Sequence, residues 1–599
     1  MAGSPLVIAN LPAGLEEPGV YVQYLFGGDQ GLSAPNKRGL ILGYMTPGYP
    51  GRPDEPIVIS SADECEVLFG PKSMLTHAYA AAKAQQPLGW EAVLLPLLEP
   101  SGGTASSVTV EFVAEPIDGV LQSNTAALSA DTVYVLRRGR GVAVSFRKGD
   151  DFDTIATAVK AAWDQLYNAP AKCTRSGAAL SFDSNHKGDF DDGAMEITFA
   201  SAGQSGVAAK LGTLTVSGAA GAAGTVTVRA NKGALTVDVG NGDTAIATGT
   251  ALRKKINSTA FAVRAAEPST ASGVVTLFYV SRRPVRPLSI SSTETNITGQ
   301  TVADSVGTAG AGVPTLAAAL VNLSAIDEAY RAWSPFFRSA TELGQVAAHV
   351  EAQAAAPIQK DQIVLFCTVQ AFEAMATSNV PTATTPRLDA TPRYAPVWAQ
   401  CAPNAEWEIS ARYVAAIAAE PYVSRNWNYL ELIGSSSAPI VPIHIADRPS
   451  VDERNVAIST YRHAPITTSA SGNLVVTWGG NCYRAKGFKD AKLRKISAML
   501  TLGYYRADLR LYLDGLYRGK KLKTLSEART ANAVEPSSIE ASVYRWCARL
   551  DDADLFDGAE SKRDAIRAAV VVSPGRVDIN VPFSPLADLD QLAVTGVVE

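Results

Sequence analysis

Residues 104–312 are written in a different style from the text on either side, and that break most constrains how the chain can fold. The segment is rich in Gly, Ala, Ser, Thr and Val, set in short alternating runs with few long helical stretches. On both flanks, apolar strand-like runs alternate with helical periods. Before the break lie runs at 39–43, 56–59 and 90–95, a short helix entered through Ser61 and Glu64 at capping-box spacing, and a second helix over 73–84. After it come strands at 331–337, 362–369 and 394–400 and helices at 341–354 and 407–419. Alternation of this kind indicates βαβ units, a mainly parallel sheet and flanking helices. The expected fold is an α/β core in two parts, 37–103 and 313–480, split by a β-rich insertion.

The insertion repeats itself. Val133, Val142 and Gly149 recur as Val226, Leu235 and Gly242, a constant displacement. Each copy reads as two strands, a Gly-Asp turn (Gly149, Asp150; Gly242, Asp243), an Ala-rich helix (154–165; 245–256) and two more strands. Two small ββαββ-type domains, 104–210 and 211–312, are therefore expected.

Residues 1–36 are broken by Pro and Gly and read as an N-terminal arm, and 481–599 as a helical and strand region ending in a C-terminal arm. A long helix beyond Ala485 sets Leu493, Ile496, Leu500, Tyr504, Ala507 and Leu511 on one face, with Lys492, Lys495, Arg506, Arg510 and Arg518 around the rest. A helix over 538–549 presents Val543, Trp546, Cys547 and Leu550. An acid-rich turn (Asp551, Asp552, Asp554, Asp557) and a basic segment, 561–567, follow. Strand-like residues stand near both ends: Val20, Tyr21 and Val22 at one, and a run at 577–581 with Leu592, Val594, Val597 and Val598 at the other. A strand without a partner exposes N–H and C=O groups that another copy of the chain can satisfy. Val20, Tyr21, Val22, Leu592, Val594, Val597 and Val598 are thus candidates for intersubunit strand exchange, and self-assembly is the first functional expectation.

Other classes fit less well. A net charge of −5 over 599 residues gives no basic field, which argues against direct nucleic-acid binding. No apolar run is long enough to span a bilayer, and Met1 to Pro5 precede no apolar signal-like stretch, so neither membrane insertion nor secretion by a leader is expected. The six cysteines are scattered without CxxC pairs and read as buried thiols. The five histidines (His77, His186, His349, His444, His463) stand singly, and no nucleophile elbow, His-Glu-x-x-His or phosphate loop is present. The acidic run from Asp189 to Asp192 reads as a solvated loop rather than a calcium site. No enzyme activity, metal or cofactor is expected; an α/β hydrolase with β-rich binding modules is the alternative from another class.

The chain resembles the sheath proteins of contractile bacteriophage tails, especially the Mu-like branch. The resemblance rests on Pro18 to Gln23, on Val58, Ile59, Ser60, Ser61, Ala62 and Asp63 leading to Leu68, Phe69 and Gly70, and on the strand from Trp90 to Leu97. It continues in the Ala-rich helix after Asn404, in Asn481, Cys482, Tyr483 and Arg484, and in Leu500, Thr501, Leu502, Gly503, Tyr504, Tyr505 and Arg506. It covers most of 18–100 and 313–599, and the second repeat, 214–278, is similar to a small β-rich insertion of that branch. The first copy is extra material. The resemblance implies a structural subunit of a virion tail, assembled in the host cytoplasm as a helical or stacked-ring homo-oligomer around a tail tube protein. Baseplate and tail terminator proteins would be its other partners. Contraction would drive the tube through the host envelope for genome delivery; a genome-free injection particle is the alternative. It also implies terminal arms that add strands to neighbours and an insertion that points outwards, removable without loss of polymerisation. Arg506, Arg510, Lys562, Arg563 and Arg567 are the candidates for contact with the tube.

Overall fold

The computed structural model describes residues 35–588 apart from 117–119, 121, 191–192, 202–204, 260–262, 266–272, 280–288, 294–296, 327–328, 356–357, 378–391, 485–492, 524–531 and 571–576. An apolar run with no polar alternation suits a strand covered on both faces. Two such runs, β1 (Arg38–Tyr44) and β3 (Glu91–Leu97), are buried along almost their whole length. Between them lie β2 (Ile57–Ile59), α1 (Ala62–Phe69) and α2 (Met74–Gln85). Ser61 caps α1 by accepting the Glu64 amide at 3.1 Å, but the capping box is displaced: the Glu64 carboxylate reaches the Ser60 amide and hydroxyl instead.

The inserted segment follows as β4 (Ala105–Ala114), β5 (Asp131–Arg137), β6 (Arg140–Phe146), α3 (Phe152–Gln165), β7 (Ala171–Ser176), β8 (Ala179–Lys187) and β9 (Met195–Phe199). A second series then runs β10 (Val207–Ser217), β11 (Gly224–Ala230), β12 (Gly233–Val239), α4 (Ala245–Ser258), β13 (Val263–Ala265), β14 (Gly273–Tyr279), β15 (Ser289–Thr293) and β16 (Thr301–Asp304). The two series match element for element from β4/β10 to β9/β15. The hairpin strands and the helix are each displaced by 93 positions (131 to 224, 140 to 233, 152 to 245). Each copy holds more than the ββαββ read from sequence, with a strand ahead of the hairpin and another pairing back on its first strand. Of these added strands β4 alternates along its length, with Val108, Val110, Phe112 and Ala114 buried, while β9 and β15 are only five residues long. β10 crosses position 210 and joins the copies in one sheet of order β13-β14-β10-β4-β8-β7, with β16 also on β10. The hairpins form separate three-stranded sheets, β6-β5-β9 and β12-β11-β15. Each copy has its own apolar core, around Trp163 and Phe182 in the first and Leu252 and Leu277 in the second.

The chain leaves the insertion where it entered: Thr104 and Ala311 exchange backbone hydrogen bonds of 2.9 and 3.0 Å. It continues as α5 (Ala317–Ala325), β17 (Ala332–Ser334), α6 (Ala340–Ala354), β18 (Ile363–Thr368), α7 (Phe372–Thr377), β19 (Tyr394–Trp398) and α8 (Glu406–Ala419). Then come β20 (Leu430–Leu432), α9 (Val451–Val456), β21 (Ala464–Thr468), β22 (Leu474–Val476) and α10 (Ile496–Tyr517). The largest sheet has the order β2-β3-β1-β17-β18-β19-β21-β22-β20. Its pairings from β3 to β21 are parallel and its three outer pairings antiparallel, so the sheet is mixed with a parallel middle. Every residue of α8 is buried, as expected of a helix enclosed on all sides.

The described chain divides into two compact units, residues 36–503 with 583–588, and 504–582 with Pro35. The second contains the end of α10, a two-stranded sheet of β23 (Lys521–Leu522) and β24 (Ala533–Val534), α11 (Pro536–Asp552), α12 (Ala559–Lys562), and a hairpin of β25 (Arg567–Val570) and β26 (Val577–Asn580). The face read along α10 holds only in its first half. Ile496, Leu500 and Tyr504 are buried, whereas Ala507 and Leu511 are exposed and Tyr505, Asp508 and Tyr512 are buried instead.

Candidate functional site

The C-terminal unit is built around a polar-tipped aromatic core. Tyr505 packs edge-on to Trp546 and tilted against Phe556, with ring centroids 5.8 Å away in both cases. Its hydroxyl donates to the Leu555 carbonyl, and burial raises its pKa above the ordinary tyrosine range. Buried Asp508 accepts from Trp546 Nε1 at 2.7 Å and Arg549 at 3.1 Å, so the carboxylate is satisfied rather than poised for chemistry. Cys547 sits in the same core with its thiol pushed up to about 12 by burial, which makes it inert. Val543, Trp546, Cys547 and Leu550 are all buried, as the periodicity of α11 indicates.

On this unit β25 and β26 pair antiparallel from Arg567–Asn580 to Val570–Val577. The Ala568 amide donates to Glu540 at 2.6 Å, which ties β25 to α11. β26 has no strand on its outer side among the described residues. The terminal run beyond it, with Leu592, Val594, Val597 and Val598, lies outside the described residues, as do Val20, Tyr21 and Val22. Of the basic candidates, Arg510 is exposed and Arg506, one turn earlier on α10, is half-buried. Arg563 lies over the Tyr544 ring at 4.9 Å and within 3.8 Å of Glu560. Exposed Arg567 donates to the Ile566 carbonyl, and Lys562 is half-buried.

A second arrangement, which the sequence reading missed, joins the insertion to the core. The tips of the two duplicated hairpins both dock on it. In the first copy, Arg140 pairs with Glu408 in the first turn of α8, both fully buried, and Arg138 lies over Trp407 at 5.5 Å. Gly139 has a φ of +76°, and a Cβ there would stand 2.8 Å from Asn404 Nδ2, so the turn needs glycine for conformation and for clearance. Glu408 is also 3.8 Å from Arg412, which donates to the carbonyls of Glu408, Ile433 and Ala438. In the second copy, Asn231 donates to Asp447 at 3.4 Å and Lys232 pairs with Glu453 at 2.6 Å. The available signal was three arginines around one glycine (Arg137, Arg138, Gly139, Arg140), dense for a solvated turn.

The start of the acidic run is not the solvated loop expected, while Asp191 and Asp192 lie outside the described residues. Phe190 is buried among Tyr44, Phe336 and Trp407, and half-buried Asp189 takes a raised pKa from burial, against the opposing pull of Arg338. Next to it, His186 accepts the Met74 amide on Nε2 at 3.0 Å and donates from Nδ1 to Glu99 at 2.7 Å, another link between insertion and core. All six cysteines are buried and none forms a disulfide. Among the described residues no three His, Cys, Asp or Glu side chains gather as a metal site would require, and no helix is long and apolar enough to cross a membrane.

No protein-family model and no curated protein matches the chain. Among solved structures, it is similar to a sheath tail protein from Desulfitobacterium hafniense, with 11% identity and a TM-score of 0.40 over 95% of this chain and 100% of that one. It is similar also to the contracted PVC sheath of an extracellular contractile injection system (9% identity, TM-score 0.34, 49% of this chain and 77% of that one). A third is the contracted helical sheath of the anti-feeding prophage (12% identity, TM-score 0.32, 47% and 72%). These likenesses are distant, and the functional reading rests on this chain's own residues. Each of these three is a sheath protein or a sheath complex.

Proposed function

We propose that this chain is a structural subunit of a contractile tail sheath, polymerising around an inner tube and contracting to drive it through an envelope. The observation that carries the reading is the β25–β26 hairpin, a two-stranded sheet near the end of the described chain with no further strand on either edge among the described residues. A lone hairpin is marginal in water, and strands added from neighbours would complete it. Each added main-chain hydrogen bond contributes ~0.5–1.5 kcal/mol, enough for a short ladder to hold subunits together while side-chain contacts elsewhere change. The residues for the exchanged strands are Val20, Tyr21 and Val22 at one end and Leu592, Val594, Val597 and Val598 at the other. The α/β part in two segments is the body of the subunit, with the duplicated β-rich insertion on its outside. The meeting of Thr104 and Ala311 supports that division.

Contact with the tube falls to Arg506, Arg510, Lys562, Arg563 or Arg567, of which Arg510 is the exposed one on α10. Exposed charges form contacts quickly and release them without a large desolvation cost. The tail belongs to a virion or to a genome-free injection particle; the mechanics of the subunit are the same in both. Head-to-tail contacts that do not close give the open helical polymer that such a tail requires. Negative-stain electron microscopy of the purified chain should show hollow tubes or stacked rings. Removing 1–26, or 590–599, should leave folded subunits that no longer polymerise. Long sheaths from either truncation would rule out the arms as the linkage.

A further inference from the structure

A groove of about 740 Å³ opens on the larger unit, lined by α9 and by residues around the end of β22 and the start of α10. Among the described residues its lining includes three cations, Arg454, Arg494 and Lys495, and no carboxylate. Trp478 lies under two of them, 5.8 Å from Arg494 and 5.3 Å from Lys495. Tyr429 stands on the rim, 72% exposed and held at a φ of 58°, a region aromatic residues rarely occupy. Burial, and after it Arg494 and Arg484, lower the pKa of nearby Arg462. The whole chain is negative, so the concentration of cations here is local. Tyr, Trp and Arg are also the residue types that anchor protein interfaces.

We propose that this groove is an intersubunit contact whose occupant is the acidic 551–557 turn of a second copy of this chain. The inference rests on the sheath reading, since it presumes a polymer of identical subunits. The turn carries four carboxylates and no cation. Asp551 accepts the Gly558 and Ala559 amides, while Asp552, Asp554 and Asp557 are exposed and opposite in sign to the groove cations. The turn is also held in shape: the Leu555 carbonyl accepts from Tyr505 and buried Phe556 packs on the same ring. A preorganised loop loses little freedom on binding. Contacts of this kind are strong enough to set register between subunits and exchangeable enough to be remade when the sheath changes length.

Because every native cysteine is buried, a new surface thiol can be read without interference. Full-length chains carrying Asn455→Cys, in the groove lining, and Ala553→Cys, in the turn, are mixed under mild oxidation. The same samples are imaged by electron microscopy. We expect a disulfide-linked heterodimer in the mixture, at least about tenfold above either chain alone. Adding Arg454→Glu and Lys495→Glu to the first chain should reduce it by a similar factor. Adding Asp552→Lys and Asp554→Lys to the second should then restore it. Polymers without the cross-link overturn the groove assignment and leave the sheath reading standing. The cross-link without polymers upholds the contact and overturns the sheath reading, and the absence of both overturns both. Cross-linking that ignores the charge reversals overturns the proposed charge complementarity.

Discussion

Replacing Arg140 with Met takes the cation away from Glu408 while keeping most of the side-chain volume. Glu408 is fully buried in the first turn of α8, and Arg140 is 4% exposed. Removing one member of a buried pair costs ~3–5 kcal/mol, because the other charge is left in a medium that solvates it poorly. Arg412 remains 3.8 Å away, and the helix N-terminus also favours the carboxylate, so the lower figure applies, about 3 kcal/mol. At ~1.4 kcal/mol per decade this is roughly a hundredfold rise in local opening. Hydrogen exchange of the full-length chain, followed on peptides covering β5, β6 and the start of α8, reads that opening. Adding Glu408→Gln should return most of the protection, since Arg412 keeps its three carbonyl acceptors. Lys232→Met is the control at the other hairpin tip. Its pair with Glu453 is only partly buried, so the loss should be about 1 kcal/mol or less. If Arg140→Met changed exchange by less than about threefold, or Glu408→Gln deepened the loss, the buried pair would not be what fastens the first copy to the core.

Three further outcomes are expected. His463 is buried, with Nδ1 donating to the Tyr461 carbonyl, and burial depresses its pKa to about 4 from 6.5. The unfolded chain therefore takes up the proton first, so stability falls as pH drops from 6.5 towards 4, by up to about 3 kcal/mol, and His463→Gln should flatten that part of an acid-unfolding profile. Thr244→Ala removes the N-cap of α4 and should cost ~1 kcal/mol. Asp151→Ala removes the matching cap of α3; hydrogen bonds from Thr154 hold that carboxyl below its usual range, so the loss should fade in acid while that of Thr244→Ala does not, in parallel thermal melts. Excising 104–312 also removes Phe190 and Arg140 from the core, so the shortened chain should fold poorly unless Glu408→Gln is present; with it, tubes should still form in electron micrographs.

The elements whose local chemistry and burial agree are the ones the sequence makes legible. β1, β3, β18 and β19 are continuous apolar runs covered on both faces, and α6, α8 and α11 carry regular apolar periods. The duplicated hairpins and helices stand out because the same text occurs twice. The strands β9 and β15 do not, because each is only five residues long and is paired with a distant partner, and β10 alternates only in its second half; β4 alternates along its whole length and is legible in principle. The second half of α10 departs from its apolar face because Tyr505, Asp508 and Tyr512 are buried there by polar-tipped aromatic packing, which a hydrophobic period does not register. Of the candidate site residues, the basic side chains can be placed on α10, on α12 and the short turn after it, and on β25. The arginine cluster around Gly139 marks the first hairpin tip, though not the partner of Arg140, whereas Lys232 reads as an ordinary turn cation until the core beneath it is known.

Two kinds of charged contact follow from this, and salt separates them. The pair between Arg140 and Glu408 is closed off from solvent, so mobile ions cannot screen it and opening it exposes an unmatched charge. The groove cations Arg454 and Lys495 are half-buried and would meet carboxylates that remain exposed until contact. Raising ionic strength from ~0.1 M to ~1 M shortens the screening length from ~10 Å to ~3 Å, below the reach of a loosely held surface pair. Hydrogen-exchange protection of the β5–β6 tip should therefore be nearly unchanged across that range, while the mixed-chain cross-link between groove and turn should fall by about tenfold. A subunit that is stiff inside and exchangeable at its rim requires that ordering. If salt released the hairpin tip as readily as the groove, the insertion could not travel with the core as one body, and the proposed contraction, by rigid-body rearrangement, would lose its physical basis.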